Sequence, residues 1–183
     1  IKEMKRCGML VPDSTIEAEK VIVENNVNKY AHNIDFTIAT TMNCNFACPY
    51  CYEDGVRYNT MNKETADKTI EFILNQVDKN TPLSIFWYGG EPLLDLKHIR
   101  YITEKLKEHS DKYESYSASI VTNGYLLTKD VAYQLKKLDI DNVQITLDGP
   151  AKIHNERRYL KAGKKPTFET ILKNVKDCCE ILN

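Results

Sequence analysis

Long apolar runs are missing from this sequence. No stretch approaches the length of a membrane span, so no membrane partner is expected. The opening residues, IKEMKRCGMLVPDST, lack the apolar core segment of a secretory signal. An excess of either charge is missing too: 25 Lys and Arg stand against 26 Asp and Glu, for a net charge of −1. That balance argues against nucleic-acid binding and against a basic membrane-surface patch. An initiating Met is absent, and the native start is expected to lie upstream of Ile1. Cysteine occurs six times, yet not as a disulfide framework, because three of the six crowd into one loop. Such a cluster fits a metal site in a reducing compartment, so the expected location is cytoplasmic.

What is present is an ordinary globular composition, 42% hydrophobic and 28% charged over 183 residues, enough for one domain with a sizeable core. The crowded stretch is Thr40 to Glu53, TTMNCNFACPYCYE. It places Cys44, Cys48 and Cys51 within eight residues, in C-x3-C-x2-C spacing. A loop of that size can present three thiolates to one small object. Iron–sulfur clusters are held by Cys thiolates, usually four of them. Three would leave one iron of a four-iron cluster open to another ligand. A closed structural zinc site takes four ligands, and no Cys or His lies close behind Cys51 to complete one. A three-ligand catalytic zinc, or three unrelated cysteines, are the remaining readings.

Along the chain, Gly8–Pro12 reads as a short strand running into a turn at Asp13-Ser14. Ser14 or Thr15 then caps a helix over Ile16, Ala18, Val21 and Val23. From residue 34 a pattern repeats. Strands are predicted over Ile34–Thr41, Leu83–Tyr88, Tyr116–Val121 and Val143–Leu147. Helices are predicted with apolar faces Ala66/Ile70/Ile73/Val77, Leu96/Ile99/Ile102/Leu106, Val131/Leu135/Leu138 and Ile171/Val175/Cys178/Leu182. Asn62, Thr128 and Thr167 open the first, third and fourth of these helices. A basic loop carries Lys161, Gly163, Lys164 and Lys165. Four β–α units in succession imply parallel strands with right-handed crossovers, as a barrel segment or a flat doubly wound sheet. Each unusual motif follows a strand: the cysteines the first, Gly89-Gly90-Glu91-Pro92 the second, Thr122-Asn123-Gly124 the third and Asp148-Gly149-Pro150 the fourth. Ligands bind at that end of parallel strands, so four stretches converge on one mouth. Cys178 and Cys179 are adjacent on a helix and diverge, which suits packing rather than chelation. Cys7 reads as an ordinary thiol, and His32, His98 and His109 as surface residues.

The string CNFACPYCYE resembles the cluster loop of radical S-adenosylmethionine (SAM) enzymes, above all the SPASM-type branch that modifies peptides and proteins. The resemblance runs from about Ile34 to Arg158. It implies that Cys44, Cys48 and Cys51 hold a [4Fe–4S] cluster whose fourth iron SAM chelates. Tyr50 matches the aromatic position near the adenine. Gly89, Gly90 and Glu91 match the motif that meets the methionyl amino group, with Glu91 as a free carboxylate for the ammonium. Asn123 lies in the matching turn after the third strand. Thr146 matches a Ser/Thr position near the SAM carboxylate or ribose. Arg158 matches an arginine that pairs with the carboxylate, a role its neighbour Arg157 could also fill. Asp148 makes the turn, and His154 with Asn155 completes a GPxxxHNxxR pattern in which His154 orients the loop or touches substrate.

The resemblance also chooses between architectures: an α/β, partial radical SAM (β/α)6 barrel, of which this chain supplies about four of the six units. Residues 34–183 are then a truncated radical SAM core. Residues 1–33 are an N-terminal extension, read as a lead-in hairpin and helix packed on the barrel in preference to the remnant of a peptide-recognition module. The last strands and any SPASM domain are expected to lie beyond residue 183. The implied function is reductive cleavage of SAM to a 5′-deoxyadenosyl radical that takes a hydrogen atom from a peptide or protein. Thioether or carbon–carbon cross-linking of a ribosomal peptide is the expected outcome, and anaerobic sulfatase maturation the close alternative. No protein general base is needed for the cleavage, so no catalytic side chain is assigned. The expected partners are a peptide or protein substrate and an electron donor such as flavodoxin or ferredoxin. Exposed strand edges point to self-association of the truncated chain. An electron carrier that does not cleave SAM and a zinc-stabilised interaction domain are the readings of another class; Gly89-Gly90-Glu91 and Arg158 argue against the former.

Overall fold

The computed structural model describes residues 2, 17–29, 33–53, 55 and 59–182. The chain divides into two units, Ile1–His32 and Asn33–Asn183. In the first, helix α1 spans Glu17–Lys29 and exposes Val21, Ile22 and Val23. The expected strand at Gly8–Pro12, the caps Ser14 and Thr15, Cys7 and His32 lie outside the described residues.

The second unit is built on four strands: β1 Ile34–Ala39, β2 Pro82–Tyr88, β3 Ser115–Thr122 and β4 Ile140–Ile145. Its helices are α2 Lys63–Leu74, α3 Leu96–Glu108, α4 Lys129–Lys137, α5 Ala151–Arg157 and α6 Phe168–Leu182, with a 3-10 turn at Pro92–Asp95 ahead of α3. All neighbouring strands are parallel, in the order β1-β2-β3-β4. A doubly wound sheet must reverse its strand order somewhere. A strictly sequential order with crossovers of one hand keeps the helices on one face, as in a barrel wall. Register shows the same asymmetry. Ile38 pairs with Trp87 and Trp87 with Ile120, and all three are buried among Ile70 and Ile73 of α2, Ile99 and Ile102 of α3, and Leu135 of α4. The alternate positions Asp35, Thr37, Asn142 and Gln144 are exposed, and Phe86 stacks on Tyr88 along that other face. No helix among the described residues is long and apolar enough to cross a membrane.

Capping follows the expected chemistry. Asn62 Oδ1 accepts from Thr65 N at 2.8 Å and Thr128 Oγ1 from Val131 N at 3.3 Å. Several boundaries differ from expectation. β1 stops at Ala39, because Thr41 leaves the ladder and bridges antiparallel to Thr60. β4 starts at Ile140, three residues earlier than expected. Asp139 takes the left-handed conformation (φ 55°) that ends α4, so the chain turns at once into the buried Ile140. α2 ends at Leu74, and Val77 packs on the core from beyond the helix. Residues 151–157 form α5 rather than loop. The fully buried face of α6 is Ile171, Asn174, Cys178 and Ile181, while Leu182 packs on the core partly buried and Val175 is intermediate. Asn174 Nδ2 donates to the carbonyls of Gly124 and Tyr125, both at 2.9 Å, which draws a polar residue inward. His98 is not a surface residue: its ring pairs with Asp95 at 2.9 Å and its side chain is only 14% exposed.

Ile120 lies in a central strand with no exposed surface. Ile120→Ala is expected to destabilise the chain by ~2–5 kcal/mol in urea unfolding. Phe72→Ala, on the exposed side of α2, should change it by about 1 kcal/mol or less.

Candidate functional site

The strand ends carry the motifs, and backbone contacts lock them together. Gly90 N donates to Thr41 O at 3.1 Å and Glu91 N to Asn43 O at 2.8 Å, so the turn after β2 lies directly on the chain entering the cysteine loop. A Cβ on Gly89 (φ 122°) would sit 2.3 Å from Thr41 O, and one on Gly90 would sit 2.5 Å from Asn43 O. The paired glycines are therefore required by this chain-on-chain approach. Their expected role was room for a ligand; they do line the cavity below, but the close neighbour is the protein's own backbone.

Glu91 is not the free carboxylate that the motif suggested. It has no exposed surface. Its Oε1 accepts from Leu93 N at 3.0 Å and Thr122 Oγ1 at 2.6 Å, and its Oε2 from Asn123 N at 2.8 Å. Burial raises its pKa above the usual carboxylate range, against the pull of those donors. Asn123 carries the tie onward. Its Oδ1 accepts from Tyr125 N, and its Nδ2 donates to Asn45 Oδ1 at 2.8 Å, inside the cysteine loop. Asn45 was not singled out by sequence reasoning, since a lone Asn between cysteines carries no signal of its own.

The cysteine loop is held from behind as well. Ala47 N donates to Tyr159 O at 3.1 Å and Lys161 N to Asn45 O at 2.8 Å, around an antiparallel bridge between Phe46 and Leu160. Cys44 and Cys48 are half-buried, Cys51 is exposed, and all three are free thiols. Burial pushes the Cys44 thiol up to about 11 and raises that of Cys48, which the Arg158 guanidinium partly offsets. Loading a metal must therefore displace protons. Among the described residues, no three Cys, His, Asp or Glu side chains could hold a single metal ion.

The loop after β4 closes the third side. Tyr50 Oη donates to Asp148 Oδ2 at 2.6 Å and accepts from Arg158 Nη1 at 3.1 Å. Arg158 lies over the Phe46 ring at 5.8 Å, with a side chain only 12% exposed, and its Nε is buried without a partner. Arg157 is exposed, so of the two arginines Arg158 reaches the cavity. His154 is wholly buried. Its Nδ1 accepts from Asp148 N at 3.4 Å, which leaves Nε2–H to donate to Thr167 Oγ1 at 3.1 Å; that hydroxyl donates to Arg158 O at 2.5 Å. Burial lowers the His154 pKa, in keeping with a neutral ring. His154 thus orients the loop. Asn155 Oδ1 accepts from Thr167 N and Phe168 N, capping α6. One cavity is lined by Cys44, Cys48, Cys51, Tyr50, Gly89, Gly90, Asn123, Thr146 and Arg158, with Tyr52 and Tyr88, which hydrogen-bond to each other, also at its wall.

A one-sided parallel β/α sheet with a three-cysteine loop after its first strand and a glycine ledge after its second defines the class: a segment of a parallel β/α barrel with its motifs gathered at the strand ends. The sequence model of the radical SAM superfamily matches residues 38–183, and the chain belongs to that superfamily. The family's cofactors are S-adenosylmethionine and a [4Fe–4S] cluster. Among curated relatives, the radical SAM cyclopropyl synthase of Paramaledivibacter caminithermalis is 30% identical over 143 residues, covering 70% of this chain and 29% of that protein. The serine-type anaerobic sulfatase-maturating enzyme of Bacteroides thetaiotaomicron is 31% identical over 143 residues, covering 72% and 33%. The solved structure of anSMEcpe with bound AdoMet and the Cp18Cys peptide superposes with a TM-score of 0.71 at 26% identity, covering 80% of this chain and 40% of that one. The expected partial barrel is thus the fold observed. The chain spans about a third of the length of these curated relatives.

Glu91→Gln keeps the shape but aims an amide NH2 at groups that themselves donate. It is expected to destabilise the chain by ~1–3 kcal/mol. The folded pKa of Glu91 is raised, so its contribution to stability is present at acid pH and lost as pH rises through that value. Urea unfolding across a pH series should therefore show the gap between wild type and Glu91→Gln narrowing toward higher pH.

Proposed function

We propose that Cys44, Cys48 and Cys51 hold the [4Fe–4S] cluster, and that SAM binds in the cavity lined by Tyr50, Gly89, Gly90, Asn123, Thr146 and Arg158. The observation that carries this reading is that one cavity gathers the thiols, the glycine ledge, Asn123 and Thr146 from four separate strand ends, together with Arg158. The side chains fit the two groups. Three free thiols on one loop suit a cluster, and a buried guanidinium with an unpartnered Nε suits a carboxylate. When bound, the cluster and SAM supply an electron and a 5′-deoxyadenosyl radical, the chemistry that the chain itself cannot provide. Arg158 orients the SAM carboxylate. Glu91 acts through Thr122 and Asn123, as a positioning residue, and the ammonium is left to the backbone of Gly89 and Gly90. Tyr50 walls the adenine side.

The substrate class we favour is a peptide or protein, modified by thioether or carbon–carbon bond formation. The likeness to anSMEcpe, solved with AdoMet and a peptide, supports that class. Anaerobic sulfatase maturation is the second reading, favoured by two sulfatase-maturating enzymes among the relatives, at 31% and 29% identity. On this reading residues 34–183 are the truncated core, residues 1–33 an extension, the electron donor a flavodoxin or ferredoxin, and the compartment the reducing cytosol. Self-association of the isolated chain through its open strand edges belongs to the same proposal.

The test is an EPR spectrum of the full-length protein, reconstituted without oxygen and reduced with dithionite, with and without SAM. A reduced-cluster signal that SAM reshapes is expected, and Cys51→Ala should abolish it. A signal indifferent to SAM would make the protein an electron carrier instead. Arg158→Ala should weaken SAM binding by about 10- to 150-fold, the loss of a charge-assisted hydrogen bond, measured by titrating the same signal.

A further inference from the structure

The cysteine loop has two sides. The cavity already described lies among the strand ends. A second cavity touches the same Cys44, Cys48 and Cys51 and shares Phe46 and Glu53 with the first, but its other walls are Met42, Ala47, Pro49, Tyr159 and Lys161, and no residue of the turns after β2, β3 or β4 lines it. Its rim is the hairpin turn at 161–164. Leu160 N donates to Lys165 O at 3.0 Å to close that hairpin, and Lys161 N and Tyr159 O fasten it to the cysteine loop itself. The stretch 157–165 carries five basic residues and no acidic one, in a chain whose net charge is −1. Of these, Arg158 is turned inward, while Lys161, Lys164 and Lys165 are exposed. Lys164 Nζ lies 5.7 Å from the centre of the Tyr159 ring, so the rim presents an aromatic face beneath a positive charge. Glu53 also reaches this cavity, half-buried, where burial raises its carboxyl pKa.

We infer that this basic turn and the cavity beneath it are the docking surface for an acidic one-electron carrier protein, which reduces the cluster from behind while substrate occupies the strand-end side. The inference rests on the cluster reading of the three cysteines. A substrate must reach the radical generated against the strand ends. A carrier needs only the cluster, and the second cavity reaches the thiolates without the glycine ledge, Asn123, Thr146 or Arg158. The redox step balances simply: the reduced carrier loses one electron, the cluster gains it, and no covalent bond forms or breaks. Like-signed lysines at the rim steer an acidic partner at low salt and act mainly on the association rate.

The experiment uses the full-length, reconstituted protein and a reduced flavodoxin as the carrier, with cluster reduction followed by absorbance and by EPR. Lys164→Glu/Lys165→Glu is expected to slow reduction by the flavodoxin about tenfold or more at low ionic strength and to flatten its salt dependence. Reduction by dithionite and the response of the signal to SAM should be unchanged. Equal flavodoxin rates in wild type and variant would overturn the assignment. So would a variant that keeps its flavodoxin rate but raises KM for the peptide substrate, which would give the turn to the substrate. A wild-type protein with no dithionite-reducible signal would overturn the cluster reading, and this inference with it.

Discussion

The buried carboxylate of Glu91 is the tie on which the site depends. It accepts from the backbone N–H of Leu93, the hydroxyl of Thr122 and the backbone N–H of Asn123, and so fixes the end of β2 to the end of β3. From there Asn123 reaches Asn45, and the glycine ledge beside Glu91 bonds the backbone at Thr41 and Asn43. A buried charged group left without its partners is costly, so these contacts stand or fall together. The acidic residue of the motif therefore lies behind the cavity wall and fixes the geometry of groups that line it.

A second tie, through the neutral His154, does for the loop after β4 what Glu91 does for β2 and β3. One ring holds the Asp148 backbone on one side and, through Thr167, the Arg158 carbonyl on the other. The consequence is that Arg158, Asp148 and Tyr50 meet across the mouth of the cavity while the cysteine loop stays pinned to residues 159–161. Between the two ties the cysteine loop is braced in front by the strand ends and behind by the basic hairpin. That bracing leaves the three thiols lining two cavities, one among the strand ends and one beside the basic hairpin.

Much of this was legible in the linear order. The period-2 strands and the 3.6-residue apolar faces gave the succession of β–α units, and the parallel, sequential sheet follows from that succession. The cysteines stood out by their spacing, and Gly89-Gly90 and Arg158 by their resemblance to the family's motifs. The helix at Ala151–Arg157 was missed because it is short and follows Gly149-Pro150, which reads as a turn. The inward face of α6 was misjudged because Asn174 looks like a surface residue until the carbonyls of Gly124 and Tyr125 are known to lie beneath it. Asp95 and His98 hid for the same reason: a pair of polar residues three apart on a helix shows its burial only in three dimensions.

The sequence by itself determined the order of the elements and which residue types crowd the strand ends, because periodicity and spacing are properties of the chain alone, and the resemblance of its motif strings pointed to the family. Only the tertiary structure decided what each of those residues touches. Whether Glu91 faces ligand or backbone, whether Arg157 or Arg158 turns inward, and whether His154 serves the loop or the substrate depend on partners tens of residues away. The physical reason is that hydrogen-bond satisfaction in a buried site is a property of the assembled set of donors and acceptors, and that set exists only once the strand ends have been brought together.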